Sequence, residues 1–486
     1  MSGGGTGPLK LQQPAIPFIA DGANSCSIFR GEISSYNTSS FLPAFVIKPF
    51  AVSCIFYYEV YFMKKKLSIE TLAVHGTYKK DETGATNPAI YLSNAFQFKD
   101  STHAANLFDL SEAGYIYSRL NNPTTNHLEE TAAALEGGIA AVACATGQFA
   151  EFMTIATLAK CGDNIVASNL LYGGTHTLFA NQFTRFGIEI RFADPHNIDD
   201  FEKLIDDNTK AIYIESIANP QGFVPNFKKF AALASQHKVP LVVDNTCATP
   251  YLVKPIKYGA DIVIHSATKF LAGHGAVLGG IVVDSGKFDW AASGRFPELT
   301  TPDESYHGLI FTEHFGKAAF AAKMRVSAMR DIGGTISPFN SFLIQQGIGT
   351  LHVRMERHVE NAKKLAKFLQ NHKNVAWVDY NGLKDNKNHK NADKFLSLGG
   401  GSLLTFGVKG GFEKSKQFIE NVTLALHVSN LGDIKTIVTH PASTTHRQLS
   451  EQELISSGIS ADLIRVSVGI ENIDDIIADF DKALGN

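Results

Sequence analysis

Cysteine is scarce in this 486-residue chain: the five, Cys26, Cys54, Cys144, Cys161 and Cys247, are odd in number and nowhere show C-x-x-C spacing. That argues against a disulfide framework or a cysteine zinc site and fits a reducing cytoplasm. An excess of either charge is missing too, because 44 basic side chains face 47 acidic ones for a formal charge of -3. With no basic stripe or polybasic tail, neither a nucleic acid nor an anionic membrane is expected as a partner. Long apolar runs are also absent. The most apolar stretch, residues 41–63, is broken by Pro43, Lys48, Pro49 and Glu59. Its longest charge-free run is residues 49–58, against about 18 residues for a spanning helix. A signal peptide is not expected, since no basic start leads promptly into an apolar stretch. Only six of the first 62 residues are charged, and no strand or helix period is sustained there. Residues 1–62 are therefore expected to lie outside the fold, as a poorly ordered tail or as sequence ahead of a start at Met63. No metal is expected, since His440 and His446 have no cysteine partner at zinc spacing.

What is present is ordinary globular material, 44% hydrophobic and 19% charged, long enough for about three domains at roughly 150 residues each. From about residue 126, short β-branched runs recur at 140–145, 164–168, 188–192, 211–215, 240–244, 261–265 and 280–284. Helical segments lie between most of them, such as 149–158, 199–205 and 227–236. Strands alternating with helices predict βαβ units and a mainly parallel sheet of seven strands. This large domain is expected over 126–318, preceded by an N-terminal arm over 63–125. Residues 351–371 place Val359, Ala362, Leu365, Ala366 and Leu369 on one helix face. Strand-like runs at 376–379, 402–408 and 463–468 and a closing helix at 472–484 predict a smaller α+β domain over 319–486.

One segment carries chemistry. A strand, Leu241-Val242-Val243, ends in Asp244, and a second, Ile262-Val263-Ile264, leads into His265-Ser266-Ala267-Thr268-Lys269. In open α/β sheets, ligands collect beyond the carboxyl ends of strands, so an acid and a lysine are delivered to the same edge. A pyridoxal phosphate (PLP) site requires that pair: the lysine to bond the cofactor aldehyde, the carboxylate to keep the ring nitrogen protonated. Taken alone, such a lysine is commoner as a surface residue and such an acid as a cap.

The segments Asp244-Asn245-Thr246 and Ser266-Ala267-Thr268-Lys269 resemble the signature of the Cys/Met-metabolism group of fold-type I PLP enzymes, and the resemblance covers roughly residues 67–486. It implies a fold-type I α/β architecture and Lys269 as the catalytic lysine. Ala145-Thr146-Gly147-Gln148 resembles the family turn whose backbone N–H groups hold the cofactor phosphate. Ser266 and Thr268 would add hydroxyls to that phosphate. Tyr117-Ser118-Arg119 resembles the family's Tyr-x-Arg, so Tyr117 and Arg119 would reach the phosphate of a neighbouring subunit. In Leu171-Tyr172-Gly173-Gly174, Tyr172 would stack on the ring and help move a proton. Asn219 would contact the ring hydroxyl and the substrate carboxylate. Arg465 would bind that carboxylate, with Ser429 near it. The resemblance also implies a homotetramer whose sites are shared between subunits.

Several longer segments resemble the sulfhydrylase branch: residues 325–340 (RVSAMRDIGGTISPFN), 351–358, and 432–449 (GDIKTIVTHPASTTHRQL). The stretch 286–312 is also longer than in the shorter synthases and lyases. The expected reaction is O-acetyl-L-homoserine plus sulfide giving L-homocysteine and acetate, in methionine and cysteine biosynthesis. The alternative is a cystathionine γ-synthase, or a γ-lyase acting on methionine or cystathionine. Two positions depart from the family pattern: Cys247 stands where an aromatic residue is expected, and Phe149 where alanine is. Both are expected near the cofactor.

Overall fold

A computed structural model describes residues 67–444, 447 and 458–485. The expectations for residues 1–62, with Cys26 and Cys54, and for His446 fall outside the described residues. The larger sheet has seven strands: β1 (Ala140–Cys144), β2 (Asn164–Ser168), β3 (Glu189–Ala193), β4 (Thr209–Glu215), β5 (Leu241–Asp244), β6 (Ile262–His265) and β7 (Gly280–Asp284). Their order across the sheet is β1-β7-β6-β5-β4-β2-β3. Every neighbouring pair is parallel except those of β7, which runs antiparallel to both β1 and β6. Two antiparallel steps restore the direction, so β1 points the same way as β4, β5 and β6.

Alternation along each strand explains why the sheet is covered on both faces. Ala141, Ala143, Ile212, Ile214, Val243 and Val263 pack on one side, with α1 (Pro123–Glu136) and α3 (Phe227–Gln236). Ala140, Val142, Ala211, Tyr213, Val242 and Ile264 face the other, against α2 (Gly147–Leu158). The long stretch 286–312 is not a loose insertion. Its Trp290, Phe296 and Leu299 are buried in the second of these cores beside Phe311 and Phe320.

After α4 (Pro338–Gly349), the 21-residue α5 (Leu351–Asn371) leads into a second sheet. Its strands are β8 (Val375–Asp379), β9 (Leu403–Val408), β10 (Leu426–His427), β11 (Ile437–Thr439) and β12 (Leu463–Ser467), in the order β10-β11-β12-β9-β8. α5 lays Ala362, Leu365, Ala366 and Leu369 on this sheet together with α6 (Gly411–Asn421) and α7 (Ile473–Ala483). The predicted helices at 227–236 and 351–371 and the strands at 164–168 and 280–284 have the observed bounds. β10 and β11 are short enough to escape a pattern reading.

Candidate active site

Parallel pairing sets the site. β4 and β5 place Glu215 beside Asp244, and Asp244 in turn faces Ile264 of β6. All three strands end at one edge, and β1 ends there as well. A cavity of about 660 Å³ opens beyond that edge. It is lined by Gly147, Gln148, Tyr172, Asn219, Asp244, Ser266, Thr268, Lys269, Ser429 and Arg465, among others.

α2 begins where β1 ends. Thr146 caps it, its Oγ1 accepting from the Phe149 N–H at 3.0 Å, which leaves the first N–H groups of a 12-residue helix turned toward the cavity. A Cβ at Gly147 would lie 2.5 Å from Cβ of Ser266 and 2.7 Å from its Oγ. Only glycine lets the helix start approach the Ser266–Lys269 turn, and the result is a small cradle of N–H and hydroxyl donors. Thr268 closes its far side, exchanging hydrogen bonds with the Gly279 backbone at 3.0 and 3.2 Å.

Lys269 is half-buried, and its Nζ donates to Oδ1 of Asn430 at 2.5 Å. Burial, and then the positive charge of Arg465, push its amine below the ordinary lysine range. Asp244 accepts the Thr246 N–H at 2.8 Å, yet burial raises its pKa. Tyr172 is 46% exposed, with its ring over Gly174, where a Cβ would meet it at 2.5 Å. Glu215 ties two site residues to the sheet: Tyr172 N–H donates to one carboxyl oxygen at 2.5 Å and Asn219 N–H to the other at 3.1 Å.

Arg465 comes from β12, in the second sheet. Its Nη1 donates to Asn219 Oδ1 at 3.2 Å, and its Nη2 to the Asn430 carbonyl at 2.6 Å and Thr439 Oγ1 at 3.1 Å. All are neutral acceptors, and the buried Nε has no partner. Among the described residues no carboxylate pairs with this guanidinium, so it is ready for an anionic ligand. Burial lowers its pKa.

Tyr117 and Arg119, expected to serve a neighbouring subunit, lie outside this chain's own cavity; both are exposed, with Arg119 Cζ 5.2 Å above the Tyr117 ring. Ser429 lines the cavity, but its neighbour Asn430 makes the bonds to Lys269 and Arg465. Cys247 is buried in the cavity wall as expected. Phe149 is not, and the expectation is corrected: its ring packs toward Phe152 at 5.9 Å and over Gly334, where helix rotation turns it from the cavity. Sequence reasoning missed Glu151, Glu215 and Asn430. The signal for Glu215 was an acid closing the apolar run of β4, and for Glu151 an acid one turn after Gly147.

The donors fit pyridoxal phosphate: a helix start opened by glycine, two hydroxyls, a half-buried amine and an acid at one strand end. The comparisons agree. Residues 70–485 match the family described as Cys/Met metabolism PLP-dependent enzyme. A homocysteine synthase from Schizosaccharomyces pombe is 50% identical over 418 residues, 85% of this chain and 97% of that protein. An O-acetyl-L-homoserine sulfhydrylase from Leptospira meyeri is 46% identical over 434 residues, 87% and 98% of the two chains. Among solved structures, a protein described as an O-acetylhomoserine (thiol)-lyase from Campylobacter jejuni, carrying N′-pyridoxyl-lysine-5′-monophosphate, superposes with a TM-score of 0.83 at 39% identity. That likeness covers 86% of this chain and all of the other. The family match takes in both sheets and every residue lining the cavity, and the chain therefore belongs to the Cys/Met-metabolism PLP-dependent enzymes.

Proposed function

We propose that the chain catalyses γ-replacement on O-acetyl-L-homoserine by sulfide, releasing L-homocysteine and acetate, in sulfur amino-acid biosynthesis. The observation that carries the amino-acid part is Arg465, a buried guanidinium with neutral partners and an open Nε, suited to an α-carboxylate. Sulfide as the nucleophile is supported by relatives called homocysteine synthase and O-acetyl-L-homoserine sulfhydrylase at 45–50% identity.

When bound, pyridoxal phosphate supplies an electron-withdrawing ring that can hold the charge released as bonds to the substrate carbons break. In this reading Gly147, Gln148, Ser266 and Thr268 would hold its phosphate, Asp244 would keep the ring nitrogen protonated, and Tyr172 would pack on the ring. Lys269 Nζ would anchor the cofactor and, when free, would take the proton from the substrate α-carbon. Asn430 Oδ1 gives that amine a resting partner, and its pKa, lowered by burial and Arg465, leaves more of it able to accept a proton near neutrality. Asn219 steadies the Arg465 fork while Glu215 fixes the Asn219 and Tyr172 backbones.

We further propose that 126–318 is the cofactor domain and 319–486 the smaller domain, and that 63–125 is an arm reaching a second copy within a homotetramer. Tyr117 and Arg119, away from their own chain's cavity, would then complete a neighbour's phosphate site. Exposed Tyr91 and Leu92, at 43% and 74%, supply apolar surface for that contact. Mixing and reassociating two inactive variants, Lys269→Ala and Arg119→Ala, should restore activity, and no recovery after verified exchange overturns the sharing. The function is tested by giving purified protein O-acetyl-L-homoserine with sulfide, with cysteine, or with no thiol. Homocysteine from the sulfide tube alone is the expected result. Cystathionine from the cysteine tube would make it a γ-synthase, and 2-oxobutanoate without a thiol a γ-lyase.

A further inference from the structure

Glu151 of α2, one turn after Gly147, lines the same cavity as Asp244. One of its carboxyl oxygens accepts from Thr175 Oγ1 at 2.7 Å and from the Tyr213 hydroxyl at 3.2 Å. The other accepts from Gln148 Nε2 at 3.2 Å. The Asp244 carboxyl also lies within hydrogen-bond reach of it. Neither acid has a lysine or arginine on it among the described residues. Two acids at that separation in a buried setting cannot both be charged, so the pair keeps a proton between them.

The surroundings decide which acid carries it. Asp244 is half-buried, opens on the cavity and accepts a backbone N–H from Thr246, a donor that favours the charged form. His265, at the end of β6, favours the charged form of Asp244 too. Glu151 is only 3% exposed and receives two hydroxyls and an amide. Of the groups facing it from β4, Tyr213 is pushed far from ionisation by burial, and Glu215 is a third acid whose charge would repel a second. Burial and Asp244 together push the Glu151 carboxyl well above the ordinary range.

We propose that Glu151 is a positioning residue that remains a neutral carboxylic acid and donates its hydrogen to Asp244, orienting Asp244 as the single negative charge toward the cofactor's ring nitrogen. The inference rests on the reading of Asp244 as the ring-nitrogen partner. It gives Glu151, absent from the sequence-level site, a role exercised through another side chain.

The test uses the holoenzyme. An infrared difference spectrum at neutral pH, wild type minus Glu151→Gln, should contain the carbonyl stretch of a protonated carboxyl. Glutamine keeps a neutral donor in the same place. Glu151→Gln should therefore retain the pH profile of the visible cofactor band and hold cofactor within about threefold of wild type. Glu151→Leu keeps the bulk and loses the donor. It should alter that profile and weaken cofactor binding by about tenfold, lowering kcat more than it changes KM. A difference spectrum without the protonated band overturns the proposal, as does a glutamine variant that shifts the profile as leucine does. Asp244→Asn separates the two readings. If it leaves the band profile and turnover at wild-type values, the assignment of Asp244 falls and takes this proposal with it. If it abolishes turnover while the infrared band is missing, the Glu151 proposal alone falls.

Discussion

Arg325 and Arg465 are buried to almost the same degree, 5% and 7% exposed, and the chain treats them in opposite ways. Arg325 meets Glu129 at 2.7 Å and also donates to the carbonyls of Leu120 at 2.7 Å and Ala141 at 3.1 Å. Its charge is answered inside the fold, where it ties α1 to β1. Arg465 is given only neutral acceptors beside the cavity. Folding therefore leaves a charge uncompensated at one place and not at the other. The contrast separates a structural arginine from a binding arginine where burial and residue type do not.

The largest effect that could break this comparison is on stability. Arg325→Met leaves Glu129 buried without its cation, which costs about 3–5 kcal/mol, and the Glu129 carboxyl, already raised by burial, rises further. The unfolding midpoint should fall sharply while the KM for the amino-acid substrate of the surviving folded protein stays unchanged. Adding Glu129→Leu should recover most of the loss. Arg465→Met should do the reverse. Losing a hydrogen-bonded charge to the substrate costs about 2–5 kcal/mol of transition-state binding, roughly 30- to 4,000-fold in kcat/KM. The unliganded protein should be no less stable, because an unanswered buried charge has been removed. Equal destabilisation by the two variants, measured by thermal unfolding, would erase the distinction.

The same contrast explains what was legible in the sequence. β7 was readable because Gly280–Asp284 carries the β-branched run Ile281-Val282-Val283 and is buried throughout, yet no pattern in it told that it runs antiparallel to its neighbours. Asp244 and Lys269 were legible because one closes β5 and the other sits in the short turn after β6, so chain order alone brings them to one edge. Glu151, Glu215 and Asn430 were not. Their roles come from contacts across 24 to 161 residues of sequence, such as Thr175 on Glu151 and Asn430 on Lys269. Phe149 was misplaced because its side-chain direction depends on the helix beginning at Gly147 rather than at residue 149 itself.

A smaller effect sharpens the comparison at Lys269. Its amine is lowered first by burial and second by Arg465. Cofactor capture by the apoenzyme needs the unprotonated amine, so the capture rate rises with pH through the Lys269 pKa. Arg465→Met removes the second cause, which raises that pKa and moves the rate–pH curve alkaline. Capture at neutral pH should slow accordingly. Growth of the visible band after mixing apoenzyme with pyridoxal phosphate measures it, and an unmoved curve would place Arg465 outside the amine's electrostatic reach.

Histidine has a way out that arginine lacks, which is to stay neutral. His358 of α5 is fully buried, donates from Nδ1 to the Val468 carbonyl at 2.6 Å, and has its pKa pushed down to about 4 by burial. Arg354, one turn earlier on the helix, pushes the same way, while the Val468 carbonyl and Asp433 oppose. The unfolded chain binds this proton below an ordinary value of about 6.5 and the folded chain only below about 4. Stability is thus fully present above that ordinary value and is lost as pH falls through the window between the two. The loss at pH 5 is at most about 2 kcal/mol for this residue. The melting temperature of the holoenzyme should therefore drop between pH 7 and pH 5, and His358→Gln, which keeps a neutral donor for the carbonyl, should shrink the drop. An unchanged drop in that variant would mean that His358 is protonated in the fold, its charge answered as that of Arg325 is.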